Sequence, residues 1–137
     1  MKIYFAGSIT GGRQDADLYK EIIALLKQYG EVLTEHIGAS DLSNQGEISL
    51  ERDFIFKRDV AWLTESDWVI AEVTNPSLGV GYELGISEKI GKRVLCLYRE
   101  NSDRKLSAMI EGNDYFYLAK YKTIQDLETI FIQHLSS

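Results

Sequence analysis

Two carboxylates, one tyrosine and two glycine-rich loops are the parts of this chain whose residue types can act together chemically. The run Asn75-Pro-Ser-Leu-Gly-Val-Gly-Tyr-Glu-Leu-Gly85 follows the most strand-like segment, residues 68–73, and leads into a helical pattern. Pro76 is the only proline and disfavours helical conformation in the residue before it. Gly79 and Gly81 allow a sharp turn or a close approach to a ligand. Glu83 is then expected in the first turn of a helix, where the helix dipole favours the ionised carboxylate. Unpaired N–H groups at the same helix end can hold a phosphate. A carboxylate beside an anion site points to chemistry on a phosphorylated small molecule. The plainer alternative is a well-capped helix with Glu83 facing water.

Asp59 is the second carboxylate. On a helix it lies one turn from Ile55, Phe56, Trp62 and Leu63, an apolar surround that would favour its protonated form and suit a general acid. The competing assignment is a solvated carboxylate balanced by nearby basic residues. Tyr4 is mid-strand, where its ring packs and its hydroxyl can reach a crevice; a plain core tyrosine fits equally. His36 ends the second strand and can touch a ligand there, or serve only at the surface. His134 has no evident partner. No His, Cys and acid cluster has metal-ligand spacing, so neither a metal nor another cofactor is expected. A Gly-x-Ser-x-Gly elbow and a Gly-x-x-x-x-Gly-Lys-Ser/Thr loop are both missing from the sequence.

The elements that must position these residues alternate. Residues 2–6 read as a buried strand ending at Gly7, followed by the glycine- and hydroxyl-rich loop 7–12. A helix then carries Leu18, Ile22, Leu25, Leu26 and Tyr29 and stops at Gly30. Residues 31–34 form a second strand, and 38–46 a polar loop without period. Helical spacing returns over 49–64, with Phe56, Val60 and Leu63 in one stripe. After the third strand and its loop, a helix carries Val80, Leu84 and Ile90 and stops at Gly91. Residues 93–98 form a strand apolar on both faces. Residues 106–110 are apolar, 115–119 suggest a fifth strand, and Thr123 caps a last helix with Leu127, Ile130 and Phe131. This pattern predicts one α/β domain over 1–137: a doubly wound, Rossmann-like, five-stranded parallel sheet with the flavodoxin-like order 2-1-3-4-5. In that order the loops after strands one and three diverge at the ligand crevice, and they are the two glycine-rich loops.

With 137 residues, 45% hydrophobic and 26% charged, the chain has the composition of an ordinary globular domain. A net charge of −6 argues against binding a nucleic acid polymer, which needs basic residues on phosphates. No apolar run reaches the roughly 20 residues that span a bilayer, and no signal peptide is apparent. One cysteine, Cys96, lies in an apolar run, as expected of a buried thiol in the reducing cytoplasm.

The sequence resembles the 2′-deoxynucleoside 5′-phosphate N-hydrolases, within the nucleoside 2-deoxyribosyltransferase superfamily. The resemblance lies in residues 2–9 with 11–13, 32–36, Asp59 with 61–63, 71–74, 76–85, 93–97 and 106–110. It implies that Glu83 attacks C1′ of the deoxyribose to form a covalent glycosyl ester, that Asp59 protonates the departing base, and that Tyr4 orients the nucleophile. It also implies a 5′-phosphate site made by Gly7, Ser8, Ile9, Thr10, Gly11, Gly12, Ser77 and Gly79, completed by Ser107 from the second subunit of a homodimer. His36, Ile55 and Met109 match positions near the base or sugar. Where this chain has Thr10 the family pattern has an arginine, so a charge-assisted contact to phosphate is missing there. Arg13 and backbone N–H groups would then carry the grip, or the preference for phosphate is weaker.

Physical chemistry supports that mechanism independently. Cleaving an N-glycosidic bond builds oxocarbenium character at C1′, which a carboxylate stabilises and can capture. The rival within the superfamily is a deoxyribosyltransferase, in which a second base intercepts the ester. A rival of another class is a flavodoxin-like electron carrier, with residues 8–11 at a flavin phosphate and Tyr98 or Trp68 flanking the ring.

Overall fold

The computed structural model describes residues 1–9, 13–34 and 51–136, with only the backbone at 13 and 14. Among these, five strands alternate with five helices: β1 (Lys2–Ala6), α1 (Arg13–Leu26), β2 (Glu31–Val32), α2 (Arg52–Glu65), β3 (Trp68–Glu72), α3 (Leu78–Lys89), β4 (Arg93–Arg99), α4 (Ala108–Glu111), β5 (Tyr117–Tyr121) and α5 (Ile124–Leu135). The strands form one parallel sheet of order β2-β1-β3-β4-β5, as expected. Alternate side chains of each strand enter two separate cores. Ile3, Phe5, Ile70, Leu95 and Leu97 pack with residues of α1 and α5. Tyr4, Ala6, Val69, Ala71 and Cys96 face the other way, toward Leu63 of α2 and Val80 and Leu84 of α3. Tyr4 is therefore on the side of the sheet that α2 and α3 cover.

Several boundaries differ from expectation. The ladder of β2 ends at Val32, and the Thr34 hydroxyl continues it, accepting the Phe5 N–H (2.8 Å) and donating to the Phe5 carbonyl (2.5 Å). Strand β5 lies two residues later than predicted. Asn113 accepts the N–H of Tyr115 through its side chain and that of Phe116 through its carbonyl, so a turn uses up the first aromatic pair. Helix α3 starts at Leu78, earlier than the glycines suggest, because the Ser77 hydroxyl accepts the Val80 N–H at 3.2 Å and caps it. Gly79 and Gly81 are thus helical. Among the described residues only Gly91 has a positive φ (76°).

Gly91 ends α3 in a Schellman turn, its N–H reaching the Glu88 carbonyl and that of Lys92 reaching Ser87. The turn aims Lys92 at the neighbouring helix. Its ammonium donates to the carbonyls of Thr64 (2.6 Å) and Ser66 (2.8 Å) at the C-terminal end of α2, where the helix dipole favours a cation. Tyr115 donates in turn to the Lys92 carbonyl at 2.5 Å. At the far end of the chain, Thr123 and Asp126 form a reciprocal capping box that starts α5.

Candidate active site

A cavity of about 400 Å³ opens between α2, α3 and the end of β1. Its walls come from one face of each helix: Arg52, Ile55, Phe56, Asp59, Val60 and Leu63 from α2, and Gly79, Val80, Tyr82, Glu83 and Ile86 from α3, with Gly7 and Ile9 closing the third side. The lining is mostly apolar and presents two carboxylates, which suits a flat heterocycle joined to a polar sugar.

Glu83 accepts a short hydrogen bond on Oε2 from the Tyr4 hydroxyl. Tyr4 is fully buried beneath it. Burial pushes the Glu83 carboxyl up to about 7; the Tyr4 hydrogen bond draws it down and the nearby Asp59 charge adds to the rise. The Tyr4 hydroxyl is itself raised far above its ordinary value, chiefly by burial and then by the Glu83 charge, so it stays a donor. This corrects the expectation from the helix dipole. Glu83 is the sixth residue of α3, a turn and a half inside it, and desolvation governs its titration.

Asp59 meets part of each of its two assignments. The apolar stripe is present on the cavity side, but Arg58 pairs with Asp59 Oδ1 through both Nε and Nη2 at 3.0 Å. The argument from an apolar surround alone therefore does not hold. The Arg58 guanidinium also stacks over Trp62 at 4.8 Å and Phe54 at 5.7 Å. Stacking on Trp62 fixes the arginine that holds the acid.

The family model described as nucleoside 2-deoxyribosyltransferase matches residues 3–118. This chain belongs to that family. A relative from Tetraodon nigroviridis, named 5-hydroxymethyl-dUMP N-hydrolase, is 56% identical over 115 residues, covering 83% of this chain and 81% of its own. One of the same name from Danio rerio is 49% identical over 140 residues, covering 100% and 97%. A Nematostella vectensis relative named putative 2′-deoxynucleoside 5′-phosphate N-hydrolase 1 is 50% identical, covering 99% and 95%. A solved 2-deoxyribosyltransferase of Bacillus psychrosaccharolyticus superposes with a TM-score of 0.69 at 21% identity, over 93% of this chain and 90% of that one. A CMP N-glycosidase of Clostridium botulinum gives 0.66 at 16%, over 98% and 100%. At those identities the two structures support the deoxyribosyltransferase fold alone.

Within this family member, the structure brings Tyr4, Asp59, Glu83, Ile55, Gly7, Ile9 and Gly79 to one cavity. Ser8 is buried beside it and accepts a hydrogen bond from the Asn75 amide at 3.4 Å, which links the two glycine-rich loops. Thr10, Gly11, Gly12 and His36 lie outside the described residues, as does the polar loop 38–46. Ser107 and Met109 are not at the Glu83 cavity. They line a second one, of about 490 Å³, on the other flank of α3 with Ser77, Leu78, Gly81 and Gly85. Trp68 begins the central strand β3 at the end opposite the crevice, 4% exposed under Arg93, and does not flank a flavin there. Sequence reasoning missed Arg58, Tyr82 and Ile86. For Arg58 the signal was available, since it adjoins Asp59 and stands four residues from both Phe54 and Trp62.

Proposed function

We propose that this protein hydrolyses the N-glycosidic bond of 2′-deoxynucleoside 5′-monophosphates, releasing free base and 2-deoxyribose 5-phosphate. The observation that carries the reading is the Tyr4–Glu83 pair on the wall of an apolar cavity that also presents Asp59. Relatives about half identical over nearly the whole chain are named for cleavage of this bond. Tyr4 occupies one oxygen of Glu83 and leaves the other for bond formation. Glu83 attacks C1′ as the bond to the base breaks. The base keeps the electron pair and takes a proton from Asp59. Water then attacks C1′, gives its proton to the Asp59 carboxylate, frees the carboxylate of Glu83 and gives overall retention from two inversions. The missing 2′-hydroxyl makes the cationic transition state easier to reach, which fits a deoxy substrate.

The 5′-phosphate is held by the β1–α1 loop and the start of α3, where the first N–H groups of a helix have no partners within it. Ser107 and Met109 reach the site of a second copy. Their place on the flank of α3 supports this, together with Leu78 at 96% and Met109 at 81% exposure. Gly81 and Gly85 add a second argument. A Cβ on either would meet nothing within 4 Å in this protomer, although glycine inside a helix costs about 1 kcal/mol against alanine. Close approach of a neighbouring subunit accounts for that cost. We place the enzyme in the cytoplasm, in keeping with its single, buried thiol.

The test incubates the protein with the four deoxynucleoside monophosphates, 5-hydroxymethyl-dUMP and the matching nucleosides, with and without a second free base. Release of base from nucleotides, without base exchange, is expected. Exchange outrunning hydrolysis, or equal rates on nucleosides, would favour the transferase. A 2′-fluoro deoxynucleotide should leave its sugar phosphate on Glu83, read by peptide mass spectrometry.

A further inference from the structure

One buried carboxylate has no part in this chemistry. Glu72 closes β3, a strand otherwise apolar, and is 1% exposed on the face of the sheet away from Tyr4. Its oxygens take three donors. The Thr74 N–H reaches Oε1 at 2.8 Å, and the Thr74 hydroxyl reaches Oε2 at 2.9 Å, beside the Tyr121 hydroxyl. The Thr74 oxygen accepts the Arg99 N–H at 2.8 Å, which ties the same turn to the end of β4. The next residue, Asn75, donates to Ser8 across the crevice, and Ser77 caps α3. The turn from Glu72 to Ser77 is thus fixed at its start, middle and end.

An apolar residue at 72 would leave the Thr74 N–H and the Tyr121 hydroxyl buried without acceptors. Glutamine offers one acceptor oxygen in place of two, so it cannot receive all three donors in their present orientation. A carboxylate in this position costs desolvation and is kept where geometry matters more than burial.

We propose that Glu72, acting through Thr74, is a positioning residue that holds the β3–α3 turn in register with the β1–α1 loop, so that the two loops grip one 5′-phosphate. The inference rests on the reading of those loops as the phosphate cradle. Glu72 touches neither substrate nor reacting atoms; it sets the relative height of Ser8 and Ser77.

The test uses Thr74→Val, which keeps shape and loses the hydroxyl, Thr74→Ser, which restores it, and Glu72→Gln. Each is assayed on a deoxynucleoside 5′-monophosphate and on the matching deoxynucleoside, with hydrogen exchange measured at the amides of 75 and 77–81. Thr74→Val and Glu72→Gln should lower kcat/KM for the nucleotide about tenfold, mainly through KM. Nucleoside cleavage should change less than about twofold, exchange at 75–81 should quicken while that in α1 does not, and Thr74→Ser should recover most of the loss. A parallel fall on both substrates in step with Tm would overturn the proposal, as would unchanged exchange at the turn. If the unaltered protein releases no base from either substrate, the functional reading falls, and exchange at 75–81 alone then decides the role of Glu72.

Discussion

At the scale of single residues, the proposed mechanism makes the Glu83 carboxyl set the pH behaviour. In that mechanism it is ionised to attack C1′, and burial pushes it up to about 7. With an activated leaving group that departs without a proton, kcat/KM should therefore rise with pH through about 7. The Tyr4 hydrogen bond lowers the Glu83 value and the Asp59 charge raises it. Tyr4→Phe should move the acid limb to higher pH and Asp59→Asn to lower pH, a pair of opposite shifts that a pH–rate series would read. A limb that stays put in both variants would remove Glu83 as its source. Stability runs the opposite way with pH. The folded protein binds this proton more tightly than the unfolded chain, so the wild type loses stability as pH rises from the ordinary 4.5 toward 7. Glu83→Gln should abolish turnover and be more stable than wild type at pH 8, by on the order of 3 kcal/mol, with the gap closing at pH 5. Chemical denaturation at the two pH values checks it.

At the scale of elements, the end of β1 depends on a close contact under its loop. A Cβ on Gly7 would lie 2.9 Å from two ring carbons of Tyr19 and 3.3 Å from Phe5. Tyr19 is 2% exposed and packed edge-on against Phe5, so it has nowhere to go. Gly7→Ala should cost about 1–3 kcal/mol and raise KM for the nucleotide more than for the nucleoside, read by melting and steady-state kinetics. An unchanged Tm would mean the loop gives way freely. The alternation of strands and helices was legible because residues 68–71 and 94–97 are apolar on both faces while α1 and α5 keep a 3.6 period. Helix α2 was legible as a helix but not in its use. Phe56 and Val60, expected in one apolar stripe with Leu63, line the cavity, and Phe56 is 52% exposed. Periodicity finds an apolar face without saying whether protein or ligand covers it. The ionic environment of Asp59 and the burial of Glu83 depend on how two helices pack, which local patterns do not encode. A lone acid closing an apolar strand, as Glu72 does, was a readable sign of a satisfied polar network.

At the scale of the whole molecule, the proposed sharing of Ser107 between two copies makes assembly a test of the site. Gly85→Leu on the exposed flank of α3 should leave the protomer folded, because nothing lies within 4 Å of the added Cβ. It should yield a monomer, with nucleotide hydrolysis down at least about tenfold, if Ser107 supplies a phosphate contact across the interface. Sedimentation and activity measured together would show it; an active monomer would sink the shared site. The lysine just past the Schellman turn of α3 has a different reach. Lys92 joins the two helices bearing Asp59 and Glu83 at their C-terminal ends, whereas the cavity takes in Arg52 and Gly79 at their starts. The helices are therefore tongs riveted at one end, with jaws that run about 20 Å along α2. A small swing at the rivet becomes a wide gape at the jaws. Lever geometry makes Lys92, which does not line the cavity, the point about which the width of the cavity would vary.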